Sequence, residues 1–338
     1  MNYRLLGKTG IKVSELCLGT MTFGNEADKA TSFKIMDRFS DEGGNFLDTA
    51  DIYNKGKSEE ILGEWLKTRD REEFIIATKV RFRTGNGPNG VGLTRKHILH
   101  SIEKSLERLG TDYVDLLQVH AWDPLTPLEE TMSALDSIVQ NGKVRYIGAS
   151  NFRGWQLALS LGVSRSRGYA EFVSIQPQYS LLCRSTEFEL IPLSRHENIS
   201  VLPWSPLKGG LLSGKYSRDM DSTPEDSRIG RIMKRGGSQL FGNNEEYTWK
   251  VINGLKEVAG RIERSPSQVA LNWLLNRVGV TSPIIGARNI AQLEDNLGST
   301  GWTLDNEDMD YLGNVSRFFV TYPYDEESDK QQNDGRIP

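Results

Sequence analysis

Short apolar runs alternate with helical segments along most of this chain. The runs have the period-two or fully apolar pattern of strands, whereas apolar residues recur every three to four positions between them, as in helices. The pattern predicts strands at Glu15–Leu18, Asn45–Asp48, Phe74–Lys79, Val114–His120, Val144–Ser150, Phe172–Gln176, Ser200–Trp204 and Thr281–Ile285.

Two helices beside the fourth strand have recognisable ends. Before the strand, apolar residues between Ile98 and Leu109 fall on one helical face, and Gly110 is typical of a helix end. After the strand, Thr126-Pro127-Leu128-Glu129 predicts a capping box with Thr126 as the cap, and the helix should stop at Asn141-Gly142.

Strands separated by helices, with no second composition regime, predict one closed (β/α)8 barrel, a TIM barrel, as a single domain over residues 1–338. An open doubly wound sheet is the alternative fold. Such sheets usually carry a Gly-x-Gly-x-x-Gly turn after the first strand, and the segment from Leu18 to Gly24 does not match it.

Three segments lie outside the repeated pattern. Tyr3–Leu6 and Ile11–Val13 flank a glycine-bounded turn and predict an N-terminal β-hairpin that closes the end of the barrel opposite the active site. A long connection after the seventh strand begins with an irregular stretch at about 205–246, rich in Gly, Ser and Arg, which predicts a functional covering loop. Residues from about 318 to 338 are polar and predict a mobile tail.

Composition excludes several classes of function. A net charge of −4 argues against a nucleic-acid partner. No apolar run reaches the roughly 18 residues that a membrane span needs, and the first residues lack a secretory signal, so we expect a cytoplasmic protein. Cys17 and Cys183 have no paired spacing, so neither a disulfide framework nor a metal site is expected.

Four polar residues lie at or just after the carboxyl ends of three strands: Asp48, Tyr53, Lys79 and His120. In a barrel these positions share the mouth where active sites form. A free tyrosine has a pKa of about 10, and a nearby cation such as Lys79 lowers it. With Asp48 holding Lys79 and His120 bonding a carbonyl oxygen, Tyr53 could donate a proton during carbonyl reduction.

Each of these residues alone has a simpler structural explanation, such as a turn, a surface charge or a structural histidine. Their convergence on one face favours catalysis. Another chemistry remains open, because a lysine in a barrel mouth can form a Schiff base, as in an aldolase. That reaction needs a neutral Lys79, whereas Asp48 favours the ammonium form.

Two segments have the character of phosphate sites. The stretch between Ser205 and Leu240 contains seven basic and four acidic residues, and its Leu207–Lys215 part offers flexible backbone N–H groups and ammonium ions. Arg288 follows the last strand where a helix begins, and a helix N-terminus favours phosphate. Two such sites beside one mouth suggest a dinucleotide with an additional phosphate.

Together these motifs resemble the aldo-keto reductase superfamily over about residues 3–315, and most closely its branch of aryl-alcohol dehydrogenase-like reductases and potassium-channel β subunits. The motifs are Phe46-x-Asp-Thr-Ala-x-x-Tyr53, Gly148-Ala-Ser-Asn151, Trp204-Ser-Pro-Leu207 with Ser213-Gly-Lys215, and Gly286-Ala-Arg288-x-x-x-Gln292-x-x-Asp-Asn296. Each motif is fairly specific, and their order along the chain makes the resemblance very specific.

The resemblance implies NADPH/NADP+ as cofactor and a site residue by residue. It assigns the catalytic tetrad to Asp48, Tyr53, Lys79 and His120, with Tyr53 as general acid. For the cofactor it implies Gly19, Thr20 and Met21 near the ribose, with Asp48 nearby; Ser150, Asn151 and Gln176 on the carboxamide; and Trp204 stacked on the nicotinamide. It further implies Ser205, Pro206, Leu207, Gly209, Lys215 and Arg228 over the pyrophosphate and adenosine; and Gly286, Arg288, Gln292, Asp295 and Asn296 around the adenine and 2′-phosphate. Asp295 stands where the family commonly has glutamate.

The implied function is reversible reduction of aldehydes or ketones, with a small-molecule carbonyl substrate. A channel β-subunit-like regulatory protein that senses nucleotide with little turnover is the alternative. Channel subunits tend to have asparagine where this chain has His120, which favours the reductase. Met21, Phe82, Trp122 and Tyr179 are candidates to line an apolar substrate pocket, although packing explains each of them equally well. The sequence leaves both a monomer and a homo-oligomer open.

Overall fold

The computed structural model describes residues 1–218 and 245–334 of the 338-residue chain. A two-stranded antiparallel hairpin precedes an eight-stranded parallel sheet. In chain order the strands are β1 Tyr3–Leu5, β2 Lys12–Ser14, β3 Cys17–Gly19, β4 Phe46–Asp48, β5 Ile75–Val80, β6 Val114–Val119, β7 Val144–Ser150, β8 Phe172–Gln176, β9 Ser200–Val201 and β10 Ile284–Ile285.

The parallel sheet curls into a barrel. Its strand order is β10-β3-β4-β5-β6-β7-β8-β9, so the strands from β3 to β9 follow one another in chain order. Between the two end strands, the Thr281 amide donates to the Val201 carbonyl at 2.9 Å and the Ile284 amide donates to the Pro203 carbonyl at 2.8 Å. The predicted (β/α)8 fold is therefore confirmed, and the doubly wound alternative is wrong.

The hairpin of β1 and β2 lies under the barrel, as predicted. Leu6 and Val13 are fully buried and pack with inward-facing strand residues such as Phe46 and Leu116. Gly7 has a left-handed backbone with φ of 57°, and its amide donates to the Ser200 hydroxyl at 2.6 Å. The hairpin thereby fills the end of the barrel opposite the mouth.

Most of the helices surround the barrel and bury their apolar faces against the outward-facing strand residues, whereas Glu245–Arg261 and Asn306–Val315 pack in a second apolar cluster and Glu326–Gln332 has no apolar residue. In chain order they are α1 Lys29–Asp41, α2 Lys57–Leu66, α3 Arg95–Leu109, α4 Leu128–Gln140, α5 Gly154–Arg167, α6 Leu190–Glu197, α7 Glu245–Arg261, α8 Pro266–Leu275, α9 Ile290–Leu297, α10 Asn306–Val315 and α11 Glu326–Gln332. None of the helices in the described part of the chain is long and apolar enough to cross a membrane.

The helix ends test the predictions from the capping motifs. Helix α3 ends at Gly110, which has a φ of 63°, as predicted. The capping box at the start of α4 is wrong, because Pro127 takes the N-cap position and makes no side-chain cap. The Thr126 hydroxyl instead donates to a carboxylate oxygen of Asp123 at 2.6 Å. An acid three residues upstream thus competes successfully for the expected capping group.

The long connection after β9 contains helices α7 and α8, which pack around Trp249, Leu255 and Trp273 in a second apolar cluster. Residues 219–244, which include Arg228 and much of the predicted covering loop, lie outside the described residues. The tail contains α11, and the ring of Tyr324 stacks on Phe188 with centroids 5.0 Å apart.

Candidate active site

The barrel mouth brings Asp48, Lys79 and Tyr53 into direct contact. Asp48 ends β4, and Lys79 lies near the end of the adjacent β5, with both side chains buried inside the barrel. Tyr53 begins a 3-10 turn, Tyr53–Gly56, that follows β4. Its amide donates to the Ala50 carbonyl at 3.1 Å, which turns the chain back over the mouth.

The ammonium group of Lys79 has three partners. It donates to a carboxylate oxygen of Asp48, to the Thr49 carbonyl at 2.8 Å and to the Tyr53 hydroxyl at 3.1 Å. Burial alone would lower the pKa of Lys79, but the charge of Asp48 and the Tyr53 oxygen raise it above its ordinary value. Lys79 is therefore charged at neutral pH, which disfavours the Schiff-base alternative.

Two side-chain amides hold the other oxygen of Asp48. The Nε2 atoms of Gln118 and Gln176 donate to Oδ1 at 2.9 and 2.8 Å, and Gln176 also donates to the side-chain oxygen of Gln118 at 3.1 Å. Sequence reasoning missed Gln118. Its signal was a polar residue inside the apolar strand β6, two positions before His120 and therefore on the same face.

His120 follows β6 and lies beside Tyr53. Its ring makes edge contacts with Tyr53 at 6.0 Å and with Phe82 at 4.6 Å between centroids. Burial, followed by the positive charges of Lys79 and Arg81, lowers the pKa of His120 to about 3. The imidazole is therefore neutral, which allows it to act as a hydrogen-bonding group beside the phenol rather than as a second cation.

A row of hydrogen-bonded polar side chains extends from His120 along the wall of the barrel mouth. The side-chain amide of Asn151 donates to the His120 carbonyl at 2.9 Å and to the Ser150 hydroxyl at 3.0 Å. The Trp204 indole N–H donates to the Asn151 oxygen at 3.0 Å. Asn151 has a left-handed backbone with φ of 56°, a strained conformation of the kind found at functional sites.

A cavity of about 560 Å³ begins at Tyr53 and His120 and extends along the mouth. Most of the predicted cofactor residues line it, namely Gly19, Met21, Asp48, Ser150, Asn151, Gln176, Trp204, Ser205, Pro206, Leu207, Gly209, Lys215, Gly286, Arg288, Gln292, Asp295 and Asn296. Thr20 lies behind the wall, where its fully buried hydroxyl contacts Ser58 at 2.7 Å. Lys79 reaches the site only through Tyr53 and Asp48.

The far end of the cavity is formed by the start of helix α9. Asn289 caps this helix by accepting from the Gln292 amide at 2.9 Å, and the Gln292 side-chain oxygen accepts from the Arg288 amide at 3.1 Å. Asn296 donates to the Gly286 carbonyl at 3.2 Å. Asp295 accepts from the Ser265 hydroxyl at 2.5 Å, so one of its oxygens is bound to the cap of helix α8.

Some lining residues were not among the predicted site residues. Gly210 and Ser213 lie in the glycine-rich loop that the sequence had singled out, whereas Glu26 and Ser267 had no recognisable signal. The complete set also includes Thr22, Ile284 and Ile285. Of the aromatic pocket candidates, Tyr179 has the packing role, since it is buried and its hydroxyl donates to Glu187 at 2.6 Å.

Similarity to known proteins agrees with this geometry. The profile of the Aldo/keto reductase family matches residues 15–317. A protein of Bacillus subtilis named "Uncharacterized oxidoreductase YrpG" is 38% identical over 325 residues, which cover 93% of this chain and 96% of that protein.

Two eukaryotic relatives have more specific names. The "Norsolorinic acid reductase" of Aspergillus flavus is 32% identical over 336 residues, 95% of this chain and 82% of that protein. A "Probable voltage-gated potassium channel subunit beta" of Arabidopsis thaliana is 34% identical over 301 residues, 88% of this chain and 90% of that protein. The resemblance drawn from the motifs is confirmed.

Proposed function

We propose that this chain, which belongs to the aldo/keto reductase family, reduces aldehydes or ketones to alcohols with NADPH and catalyses the reverse oxidation. Membership of the family makes the chain an oxidoreductase. The choice of NADPH, the carbonyl substrate and the roles of individual residues belong to the proposal.

One contact carries the proposal: the Lys79 ammonium lies 3.1 Å from the Tyr53 hydroxyl oxygen and is held there by Asp48. A positive charge at this distance stabilises the phenolate that forms when Tyr53 gives up its proton. Tyr53 then donates its hydroxyl proton to the carbonyl oxygen as negative charge develops there, and accepts it back in the reverse direction.

Neutral His120 orients the substrate in this scheme. Its imidazole borders the same cavity as Tyr53, so an N–H group of the ring is available to a carbonyl oxygen placed beside the phenol. Since the pKa of His120 is about 3, the histidine does not compete with Tyr53 as proton donor at neutral pH. Lys79 and Asp48 act on the reaction through Tyr53.

The cavity fits an extended nicotinamide dinucleotide. When bound, NADPH supplies the hydride that reduces the carbonyl carbon. Asn151, Gln176 and Trp204 would hold the nicotinamide end beside Tyr53, and Lys215 with Arg288 would hold the phosphates at the far end. A volume of about 560 Å³ lies within the range of about 300–1,000 Å³ that is usual for small-molecule and cofactor sites.

The test of the mechanism is Tyr53→Phe, which removes the hydroxyl proton and keeps the ring. Loss of the general acid should lower turnover of a generic aldehyde by about 10²- to 10⁴-fold. The affinity for NADPH, measured by quenching of protein fluorescence, should be retained. Tyr322→Phe in the exposed tail is the matched control and should leave turnover unchanged. Substantial activity in Tyr53→Phe would contradict the mechanism.

The cofactor preference depends on Arg288. We expect NADPH to bind more tightly than NADH, and Arg288→Ala to weaken NADPH by about 10- to 100-fold, the size of a charge-assisted contact, while NADH is little affected. Arg167→Ala, an exposed arginine on α5, is the control. Equal losses for both nucleotides would remove Arg288 from the 2′-phosphate site.

The similarity to a protein named as a channel β subunit favours a second candidate function. A nucleotide-sensing regulatory subunit would use the same cavity with little turnover. Oxidation of NADPH by a panel of aldehydes, followed at the NADPH absorbance band, separates the two functions. Continuous turnover with any member of the panel supports the reductase, whereas tight NADPH binding without turnover supports the regulatory subunit.

A further inference from the structure

A second group of charged side chains lies just outside the barrel wall, next to the loop that carries Tyr53. Asp51 and Glu59 are 2% and 0% exposed, and Arg108 of helix α3 binds Glu59. Glu59 is fully bonded: one oxygen accepts from the Thr78 hydroxyl at 2.5 Å and the other from Arg108 Nε at 2.7 Å. Among the described residues, neither carboxyl oxygen of Asp51 has a hydrogen-bond partner.

This group touches the Tyr53 loop on both sides. Asp51 lies two residues before Tyr53, and its amide donates to the Lys79 carbonyl at 3.2 Å. Gly56 lies three residues after Tyr53 and packs directly on Arg108, since a Cβ at Gly56 would stand 2.7 Å from Arg108 Cδ. The loop and the charged group therefore cannot move independently.

The charges of this group balance only when one carboxyl group is protonated. The ionisable groups that face Asp51 are Glu59 from α2, Arg108 from α3 and Lys79 from β5. Lys79 is already bonded to Asp48, so one guanidinium serves two carboxyl groups. Glu59 holds both the guanidinium and the Thr78 hydroxyl, which leaves the proton to Asp51. A second buried negative charge would be uncompensated, and such charges are strongly unfavourable.

We propose that Asp51, in its protonated form, is a positioning residue for Tyr53. With Glu59 and Arg108 it forms a neutral, packed group that supports the loop. Loss of its proton at alkaline pH displaces the loop and reduces turnover. This inference rests on the proposed function of Tyr53 as the general acid. It adds a protonation switch that is separate from the phenol itself.

The pKa of Asp51 agrees with this geometry. Burial, followed by the negative charge of Glu59, raises the pKa of Asp51 to about 8, although Arg108, the backbone amide of Ile52 and Lys79 lower it in part. A carboxyl group with a raised pKa stabilises the folded state below its ordinary pKa, near 4, and this stabilisation is lost as the pH rises towards 8. The charged form of Asp51 becomes the main form only above about pH 8.

The test compares the wild-type protein with Asp51→Asn, which mimics the neutral acid and cannot ionise. The kcat for a generic aldehyde with NADPH is measured from pH 6 to 9.5. At neutral pH we expect the two proteins to agree within about twofold. Above pH 8 the ratio of mutant to wild-type kcat should rise, by up to about tenfold per pH unit for a single controlling proton.

The ratio of the two kcat values removes the pH dependence that comes from Tyr53, because both proteins share it. The KM for NADPH should stay unchanged, because the displaced loop affects the proton donor rather than the cofactor groove. Asp41→Asn, an exposed aspartate on α1, is the control and should follow the wild-type profile. A constant ratio across the pH range would overturn the inference while leaving the reductase function in place.

Thermal unfolding provides a measurement that does not depend on turnover. The difference in Tm between Asp51→Asn and wild type should increase from pH 5 to pH 8 and then level off. A Tm difference that does not change with pH would show that Asp51 is not protonated in the folded protein. If wild type binds NADPH but reduces no aldehyde, the proposed function fails, and the Tm difference alone supports or overturns the neutral cluster. If Asp51→Asn does not fold, Asp51→Ser replaces it as a second uncharged variant.

Discussion

Asp48 and Asp51 are three residues apart, equally buried and yet in opposite situations. Both are 2% exposed. Asp48 points into the barrel, where Lys79, Gln118 and Gln176 bind its two oxygens. Asp51 lies outside the barrel wall with neither oxygen hydrogen-bonded to a described residue, and its nearest charges include another carboxylate.

The difference shows that burial alone does not decide what an acid does. The inner acid has a cation and two amide donors, so its negative charge is useful because it keeps Lys79 charged beside Tyr53. The outer acid has no side-chain donor, and the one nearby guanidinium, Arg108, is bound to Glu59, so the neutral acid is the stable form. Tyr53 lies between the two groups and depends on both, through its hydroxyl on one side and its backbone on the other.

Asp48→Asn should have the most severe effect on stability and turnover. Replacing the carboxylate leaves the Lys79 ammonium buried without a counter-ion, which should destabilise the protein by about 3–5 kcal/mol. Turnover should also fall by at least about 10²-fold, because the Lys79 ammonium would no longer be held beside the Tyr53 hydroxyl by a carboxylate. Denaturant unfolding and aldehyde reduction at pH 7 measure the two effects.

Asp51→Asn is the matched control for Asp48→Asn, because it makes the same chemical change three residues away. We expect it to alter stability at pH 7 in the stabilising direction and to leave turnover within about twofold of wild type. If both substitutions proved equally damaging, the two acids would not differ in charge state, and the comparison would be wrong.

The inner group, Asp48 with Lys79, Tyr53 and His120, could be predicted from sequence for a simple topological reason. Parallel strands place their carboxyl ends at one mouth, so Asp48, Lys79 and His120 had to converge once the strands were recognised. Gln118 was also within reach, because it shares the inward face of β6. Most of the residues that line the cavity followed from the resemblance, except that Arg228 is outside the described residues and Thr20 lies behind the wall.

The outer group could not be predicted, because it depends on the path of the chain after β4 ends. Asn54 and Lys55 adopt left-handed backbone conformations, with φ of 48° and 59°, which the residue types alone do not require. These turns fix the start of α2 and hence the position of Glu59. Arg108 comes from a different helix, and no periodic pattern links it to Asp51. The failed capping box at Thr126 has the same origin, a competing acid brought close by the loop.

A smaller change to the outer group is Thr78→Val, which removes the hydroxyl donor of Glu59 at nearly constant volume. The hydrogen bond that is lost, 2.5 Å long, is donated to the charged and fully buried carboxylate of Glu59. Stability should therefore fall by about 1.5–3 kcal/mol. The exposed Thr303→Val is the control. A loss no larger than that of the control would mean that Arg108 alone satisfies Glu59.

Gly56→Ala has the smallest expected effect and tests how tightly the Tyr53 loop packs on the outer group, Asp51, Glu59 and Arg108. Gly56 has a φ of 89°, and a methyl group there would stand 2.7 Å from Arg108 Cδ. Gly56→Ala should therefore cost about 1–2 kcal/mol from the left-handed backbone, and should lower kcat more than the KM for NADPH because Arg108 must shift under the loop. Gly87→Ala, where a Cβ meets no atom within 4 Å, is the control for stability. A loss of stability with kcat unchanged would show that the Tyr53 hydroxyl is held by Lys79 alone, and that the outer group supports the fold without positioning the proton donor.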